Sequence, residues 1–246
     1  MDLISKLISS FDPAQPNFRP TELYNESWLI KIILNQASDI EDQDFILSFL
    51  PNSTWFSEGL LPTAFKERYR GDKLSESRTN ADGVIGHIQI GQKGKADLDL
   101  DGQALQFTVV EAKIGAPLSK GTSNAKYFDQ AARNVACMAE VIARASVDPS
   151  SLNRLDFVVL APQYSIDKGT FAEELELESI QTKVKKRVNA YEGDLDDWYF
   201  NRFEPTLKSI NIQSLSWESA IRWISKYKPE LNEELHSFYD LCLKYK

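Results

Sequence analysis

The spacing of apolar residues divides the chain into a helical opening, a strand-rich middle and a closing stretch dominated by helices. From Glu22 to Ala37 the apolar residues Leu23, Leu29, Ile30, Ile33, Leu34 and Ala37 gather on one side of a helix, the 3.6-residue period of an amphipathic segment. Thr21 after Pro20 is the expected N-cap. Three prolines between Phe11 and Pro20 make that segment a linker, and Met1 to Ile8 reads as a short amphipathic helix. Asp42 to Leu50 reads as a second short helix, ended by Pro51-Asn52. Between residues 53 and 80, Gly59, Pro62 and Gly71 interrupt any period. Loops, a short helix near Ala64 to Tyr69 and an edge strand are expected there.

At Val84 the period becomes that of a strand. Val84 to Ile90 is apolar, and Gln92 to Lys95 is a turn signal. Leu98 and Leu100 alternate with aspartates, as in a half-buried strand. Asp101-Gly102 is a hairpin turn signal. Gln106 to Val110 is a third strand that runs into Glu111-Ala112-Lys113. Residues 83 to 113 therefore predict an antiparallel meander. A long helix over about Ala125 to Ala145 follows, then an apolar strand from Leu155 to Leu160 stopped by Pro162. Charged helices over about 171 to 191 and 196 to 203, a short strand at Ile210 to Leu215, and helices over Trp217 to Tyr227 and Leu231 to Tyr245 complete the pattern. This order is that of an α/β fold. It is read as one domain over 1–246, with a core over about 21–162 and a mainly helical C-terminal part over about 163–246.

Composition changes this picture only at a few points. The 246 residues are 42% hydrophobic and include 13 Phe, 9 Tyr and 5 Trp, enough for a sizeable core. The net charge of -8 argues against a surface that coats itself with nucleic acid. It is compatible with a site built from carboxylates. Two cysteines without a CxxC pair, and two histidines, argue against zinc. Cys137 and Cys242 are expected as reduced thiols, the first in the core. No apolar run approaches about 18 residues, and the N-terminus lacks the build of a secretory signal. A cytoplasmic protein without membrane contact is expected.

The chemistry centres on Glu111-x-Lys113. Residues i and i+2 of a strand point to one face, so carboxylate and ammonium project together. They end a strand apolar enough to be central, a costly place for charge unless something uses it. If strands 84–90 and 105–111 are antiparallel neighbours, Asp82 lies beside Glu111, because their midpoint falls at 96–97. Two carboxylates of this kind suit Mg²⁺, which polarises a phosphodiester and lowers the pKa of an attacking water. A lysine beside them can orient that water or stabilise charge developing on the phosphate. Glu26 sits near the middle of the apolar face of its helix, where a solvated acid would sit opposite. Gln130 lies with Asn134, Cys137 and Val141 along one edge of the apolar arc of the next long helix.

Asp82 followed by Glu111-x-Lys113 at a strand end resembles the PD-(D/E)xK nuclease superfamily, with Ala81 in place of the proline in that name. Glu26 and Gln130 look like the accessory positions on the preceding and following helices. The resemblance covers about residues 21 to 162. It implies a restriction-endonuclease-like fold, a mixed sheet flanked by helices. It further implies Mg²⁺ or Mn²⁺ held by Asp82, Glu111 and Glu26, with Lys113 and Gln130 completing a catalytic set that hydrolyses DNA. The 29 residues from Asp82 to Glu111 are more than the pattern usually has. Asp97 or Asp99 would give a more usual gap, and an extended loop over 92–103 would accommodate the longer one. Two other readings stay open. One is a non-catalytic nucleic-acid- or protein-binding module on the same fold. The other is an interaction protein, possible as a homodimer, whose helical C-terminal half is the interface. Ser119, Lys120, Gly121 and Thr122 could contact phosphate or form an ordinary connection. Lys183, Lys185, Lys186 and Arg187 read as a solvated helix face, and Trp198, Tyr199, Phe200 and Phe203 as core.

Overall fold

The first long helix, α1, spans Glu26–Ala37. It begins later than Thr21 would make it because Asn25 is the cap: its side-chain oxygen accepts from the Trp28 N–H at 3.0 Å. Pro20–Leu23 forms a separate helical turn, tied to the cap by the Asn25 amide, which donates to Thr21 O at 2.8 Å. The computed structural model of the chain describes residues 17–76, 79–91, 94–121 and 125–246. The helix expected over Met1 to Ile8, most of the linker, Gln92-Lys93 and Thr122 lie outside the described residues.

Among the described residues seven strands follow in chain order: β1 Thr54–Leu61, β2 Thr79–Gly86, β3 Ile88–Ile90, β4 Leu98–Leu100, β5 Gln106–Ala112, β6 Arg154–Ala161 and β7 Asn211–Ser216. Five of them form a mixed sheet in the order β1-β2-β5-β6-β7. β1, β2 and β5 are antiparallel neighbours, whereas β5, β6 and β7 run parallel. The longer remaining helices are α2 Gln130–Ala145, α3 Leu177–Asn189, α4 Trp217–Tyr227 and α5 Asn232–Tyr245.

Helices cover both faces of the sheet. Val84, Val109, Phe157 and Val159 pack with Val135, Met138 and Ile142 of α2 and with Ile180 and Val184 of α3. Their strand neighbours Ile85, Val110, Val158 and Leu160 point the other way. They meet Leu29, Ile30, Ile33 and Leu34 of α1 and Trp217, Ile221 and Ile224 of α4. Burial on both faces explains why β5 and β6 read as continuous apolar runs; every residue of β5 is buried. Among the described residues no helix is long and apolar enough to cross a membrane.

Gly83 sets how closely α1 lies on β2. A Cβ there would stand 2.8 Å from Leu34 Cδ1 and 3.2 Å from Ile30 Cγ1. Gly83→Ala is expected to lower stability by about 1–3 kcal/mol in chemical denaturation, the usual cost of overpacking. A change below about 0.5 kcal/mol, the range of a neutral surface substitution, would mean that α1 yields freely.

Several expectations are corrected. Asp42 to Leu50 is not helical. The Asp42 carboxylate instead accepts from Trp223 Nε1 at 2.9 Å, Tyr227 OH at 2.7 Å and the Asp44 N–H at 3.0 Å. Phe45 stacks on Trp223 with centroids 4.4 Å apart, so contacts with α4 override local propensity. Ala64 to Tyr69 is irregular as well, because Phe65 is pulled into an aromatic nest with Phe128, Tyr191 and Trp198. The edge strand expected in this region is β1.

The meander over 83–113 is also corrected. β2 pairs directly with β5, and β3 with β4 in a separate hairpin. Asp101-Gly102 turns the chain from β4 into β5, two strands that do not pair. The excursion starts at Gly86, where a Cβ would lie 2.3 Å from Gln106 O.

The C-terminal part does not stand apart from the sheet: β7 extends it beside β6, and Trp217, Ile221 and Leu235 share a core with α1. Two cations expected on a solvated face are paired instead, Arg187 fully buried and Lys183 half-buried. Arg187 pairs with Glu76 at 3.2 Å and Lys183 with Asp129 at 2.6 Å. Of the aromatic cluster, Tyr199 and Phe203 are core, while Phe200 is exposed.

Candidate functional site

The register of β2 and β5 builds the site. Gly83 faces Val110 and Val84 faces Val109, so one step further along this register Asp82 stands opposite Glu111. Asp82 Oδ2 accepts from the Ala112 N–H at 2.8 Å. The chain then leaves the sheet under tight control. Lys113 donates its N–H to Leu160 O at 2.8 Å, and Lys113 O accepts from the Trp217 indole at 2.8 Å. Lys113 Nζ lies 2.7 Å from Glu111 Oε1, the same-face pairing that i, i+2 spacing dictates.

Two helices close over this pair. From α2, Gln130 Nε2 donates to Glu111 Oε1, and Asn134 Nδ2, one turn on, donates to Oε2 at 3.2 Å. Gln130 is itself fixed: its Oε1 accepts from the Ser119 N–H at 3.0 Å, and its own N–H donates to Ser119 O at 2.9 Å. From the first residue of α1, Glu26 Oε2 accepts from the Ile114 N–H at 3.1 Å. Glu26, Asp82, Glu111, Lys113 and Gln130 are therefore brought to one place. Asp97 and Asp99 are not on the paired strands. Asp97 bridges to Leu60 of β1, and Asp99 faces Gln89 within the β3–β4 hairpin. That hairpin accounts for the long gap between Asp82 and Glu111.

Burial dominates the electrostatics. Glu111 is 1% exposed. Desolvation, and then the Asp82 carboxylate, push its pKa up to about 8 although Lys113 pulls it down. Burial also raises Glu26, opposed by the Ile114 N–H and Lys113 and reinforced by Asp82. Acids held close with their charge penalised form a site that a cation would relieve.

Among the described residues no group of three His, Cys, Asp or Glu is spaced to hold a metal ion. The donor set is smaller. Glu26 spends one oxygen on Ile114 and Asp82 one on Ala112, the Glu111 oxygens accept from Gln130, Lys113 and Asn134, and Asp82 and Glu111 face each other as hard oxygen donors. Two carboxylates fit Mg²⁺, which takes one or two from the protein and completes its shell with waters and substrate phosphate.

Asn134 is the site residue that the helical period indicated only as a neighbour of Gln130; their i, i+4 spacing is the signal. Its side chain is fully buried, and its Oδ1 has no hydrogen-bond partner. Trp217 carried no signal beyond its place at a helix start. Comparison with profiles of protein families, with curated proteins and with solved structures finds no match for this chain.

Proposed function

We propose that the protein is a divalent-metal-dependent nuclease of the PD-(D/E)xK type, on a restriction-endonuclease-like fold, that hydrolyses DNA phosphodiester bonds. The observation that carries the reading is the convergence of an acid from α1, an acid from β2, the Glu111–Lys113 pair from the end of β5 and a carboxamide from α2. Asp82 and Glu111 would hold Mg²⁺ or Mn²⁺, with Glu26 beside them. A metal bound there would supply Lewis-acid polarisation of the phosphate and a water of lowered pKa.

The remaining roles belong to the chain. Lys113 holds the attacking water by hydrogen bonding and stabilises charge on the phosphate. Gln130 and Asn134 fix the Glu111 carboxylate in one orientation, the work of residues behind a metal ligand. Glu26, locked on the Ile114 N–H, adds negative field and fixes the start of α1 over the site.

The net charge of -8 favours a second reading, a non-catalytic binding module on the same fold. Calorimetric titration with Mg²⁺ and Mn²⁺, alongside cleavage of supercoiled plasmid and single-stranded DNA, separates the two. The nuclease gives saturable metal binding and metal-dependent cutting. Absence of both would leave the binding module.

A further inference from the structure

Glu58 of β1 has a left-handed backbone, with φ 58°, a region that long side chains rarely enter. Among the described residues Asn52, Ser146 and Glu192 also have positive φ, but they lie in turns, and Glu58 alone of these four is inside a strand. Such strain persists only where the surroundings impose it, and it gathers at functional sites. Ser57 faces Gly83 and Gly59 faces Ala81, so Glu58 stands at the step opposite Asp82, and the ladder omits that one pair.

Directly opposed residues of an antiparallel pair share a face. Asp82 lies two residues from Val84 and Glu111 two from Val109, so both point toward α2, the side on which those valines pack. An extended Glu58 would put its carboxylate on that side beside Asp82, where opposed like charges destabilise. The left-handed backbone turns it to the other face. There its Oε1 accepts from Ser27 Oγ at 3.0 Å, in the first turn of α1, whose positive end favours a carboxylate. Ser27 Oγ in turn accepts from Lys31 Nζ at 2.7 Å, and Lys31 also donates to Ser27 O at 3.2 Å. Ser27 follows Glu26, which is held by the Ile114 N–H just beyond β5. β2 lies between β1 and β5, so the first turn of α1 is anchored on both sides of the strand that carries Asp82. Gly83 packs against Ile30 and Leu34, one and two turns beyond Glu26, which leaves polar bonds to decide where the first turn points.

We propose that Glu58 is a positioning residue of the metal site: through Ser27 it holds the turn of α1 that carries Glu26, and its strained backbone keeps its own carboxylate off Asp82. The inference rests on the nuclease reading above.

Calorimetric titration of the full chain with Mg²⁺ tests it, with thermal melting as the folding control. Ser27→Ala and Glu58→Ala are each expected to weaken Mg²⁺ binding about 10-fold, the lower end of what residues behind a metal ligand contribute. The double variant should lose no more than either single, because both break one bond. Glu58→Gln, which still accepts from Ser27, should bind Mg²⁺ as wild type does. Glu58→Gly should bind as weakly as Glu58→Ala but melt higher, because glycine takes the left-handed backbone without strain. Wild-type Mg²⁺ affinity in the folded alanine variants, additive losses in the double, a glutamine variant as weak as alanine, or a glycine variant that melts no higher than alanine would each overturn this role of Glu58 and leave the nuclease reading standing. A wild type that binds neither Mg²⁺ nor Mn²⁺ and cuts no DNA overturns the nuclease reading, and the role of Glu58 with it.

Discussion

Lys113→Ala is expected to lower Mg²⁺-supported DNA cleavage by about 10²–10³-fold while the fold survives, the loss typical of removing one preorganised donor from a reacting centre. The fold should survive because the main chain at 113 is held independently of the side chain, by Leu160 O and the Trp217 indole. The ammonium is not an ordinary surface charge. Its side chain is 11% exposed, and it ends 2.7 Å from a carboxylate that is almost fully buried. Surface ion pairs contribute little and their loss is barely felt; this pair sits where Asp82 and Glu111 oppose one another, and it lowers the cost of both Glu111 and Glu26. Lys113→Arg should recover only part of the rate, because a planar fork does not replace a compact ammonium at a single point. Initial rates of plasmid nicking at fixed Mg²⁺, with far-ultraviolet circular dichroism as the folding control, decide the matter. An alanine variant as fast as wild type would remove Lys113 from the chemistry.

The site was more legible in the sequence than its surroundings, for a physical reason. An i, i+2 pair at the end of an apolar strand has one geometry whatever the rest of the fold does. An antiparallel pairing centred on 96–97 puts Asp82 opposite Glu111 whether the intervening chain is a loop or a hairpin. The structure supplies a hairpin, β3–β4, and the register holds. Glu26 was legible because an acid in the middle of an apolar face must be used by something, here the Ile114 N–H.

What stayed hidden depended on partners far away in the chain. Thr21 and Asn25 are both acceptable caps, and nothing local chooses between them. The segments at 42–50 and 64–69 lose their helices to α4 and to the aromatic nest around Phe65. Arg187 and Lys183 look solvated until Glu76 and Asp129, remote in sequence, are folded against them. The α/β order of elements follows from the periods, whereas a mixed sheet flanked by helices is only what the resemblance implies, and its five strands come from the structure. The identity of the strands that pair does not follow from the periods, since β3 and β4 carry the same alternation as the strands of the sheet.

In the absence of metal, stability is expected to fall as the pH rises from about 5 to about 8, and Glu111→Gln should remove most of that fall. The sign follows from linkage. Glu111 titrates at about 8 in the folded chain, against an ordinary 4.5. Between those values the folded state binds more protons than the unfolded state, so stability declines with pH. The contribution is complete below about 4.5 and lost by about 8. Glu26, Glu76 and Asp156 are also raised by burial and act in the same direction. Glutamine keeps the shape and offers the Lys113 ammonium an acceptor without the charge. It should therefore gain roughly 2–4 kcal/mol over wild type at pH 8.5, and little at pH 5, the span that a shift of this size allows. Chemical denaturation in EDTA at both pH values measures this, and parallel curves for the two proteins would show that Glu111 is not the destabilising acid. Mg²⁺ gives the complementary result. A ligand that binds only the folded state stabilises it, so wild type should melt higher in Mg²⁺ at pH 8.5 and the glutamine variant should not. A carboxylate whose removal strengthens the fold and abolishes the response to metal is kept for what it binds, because packing alone would have replaced it.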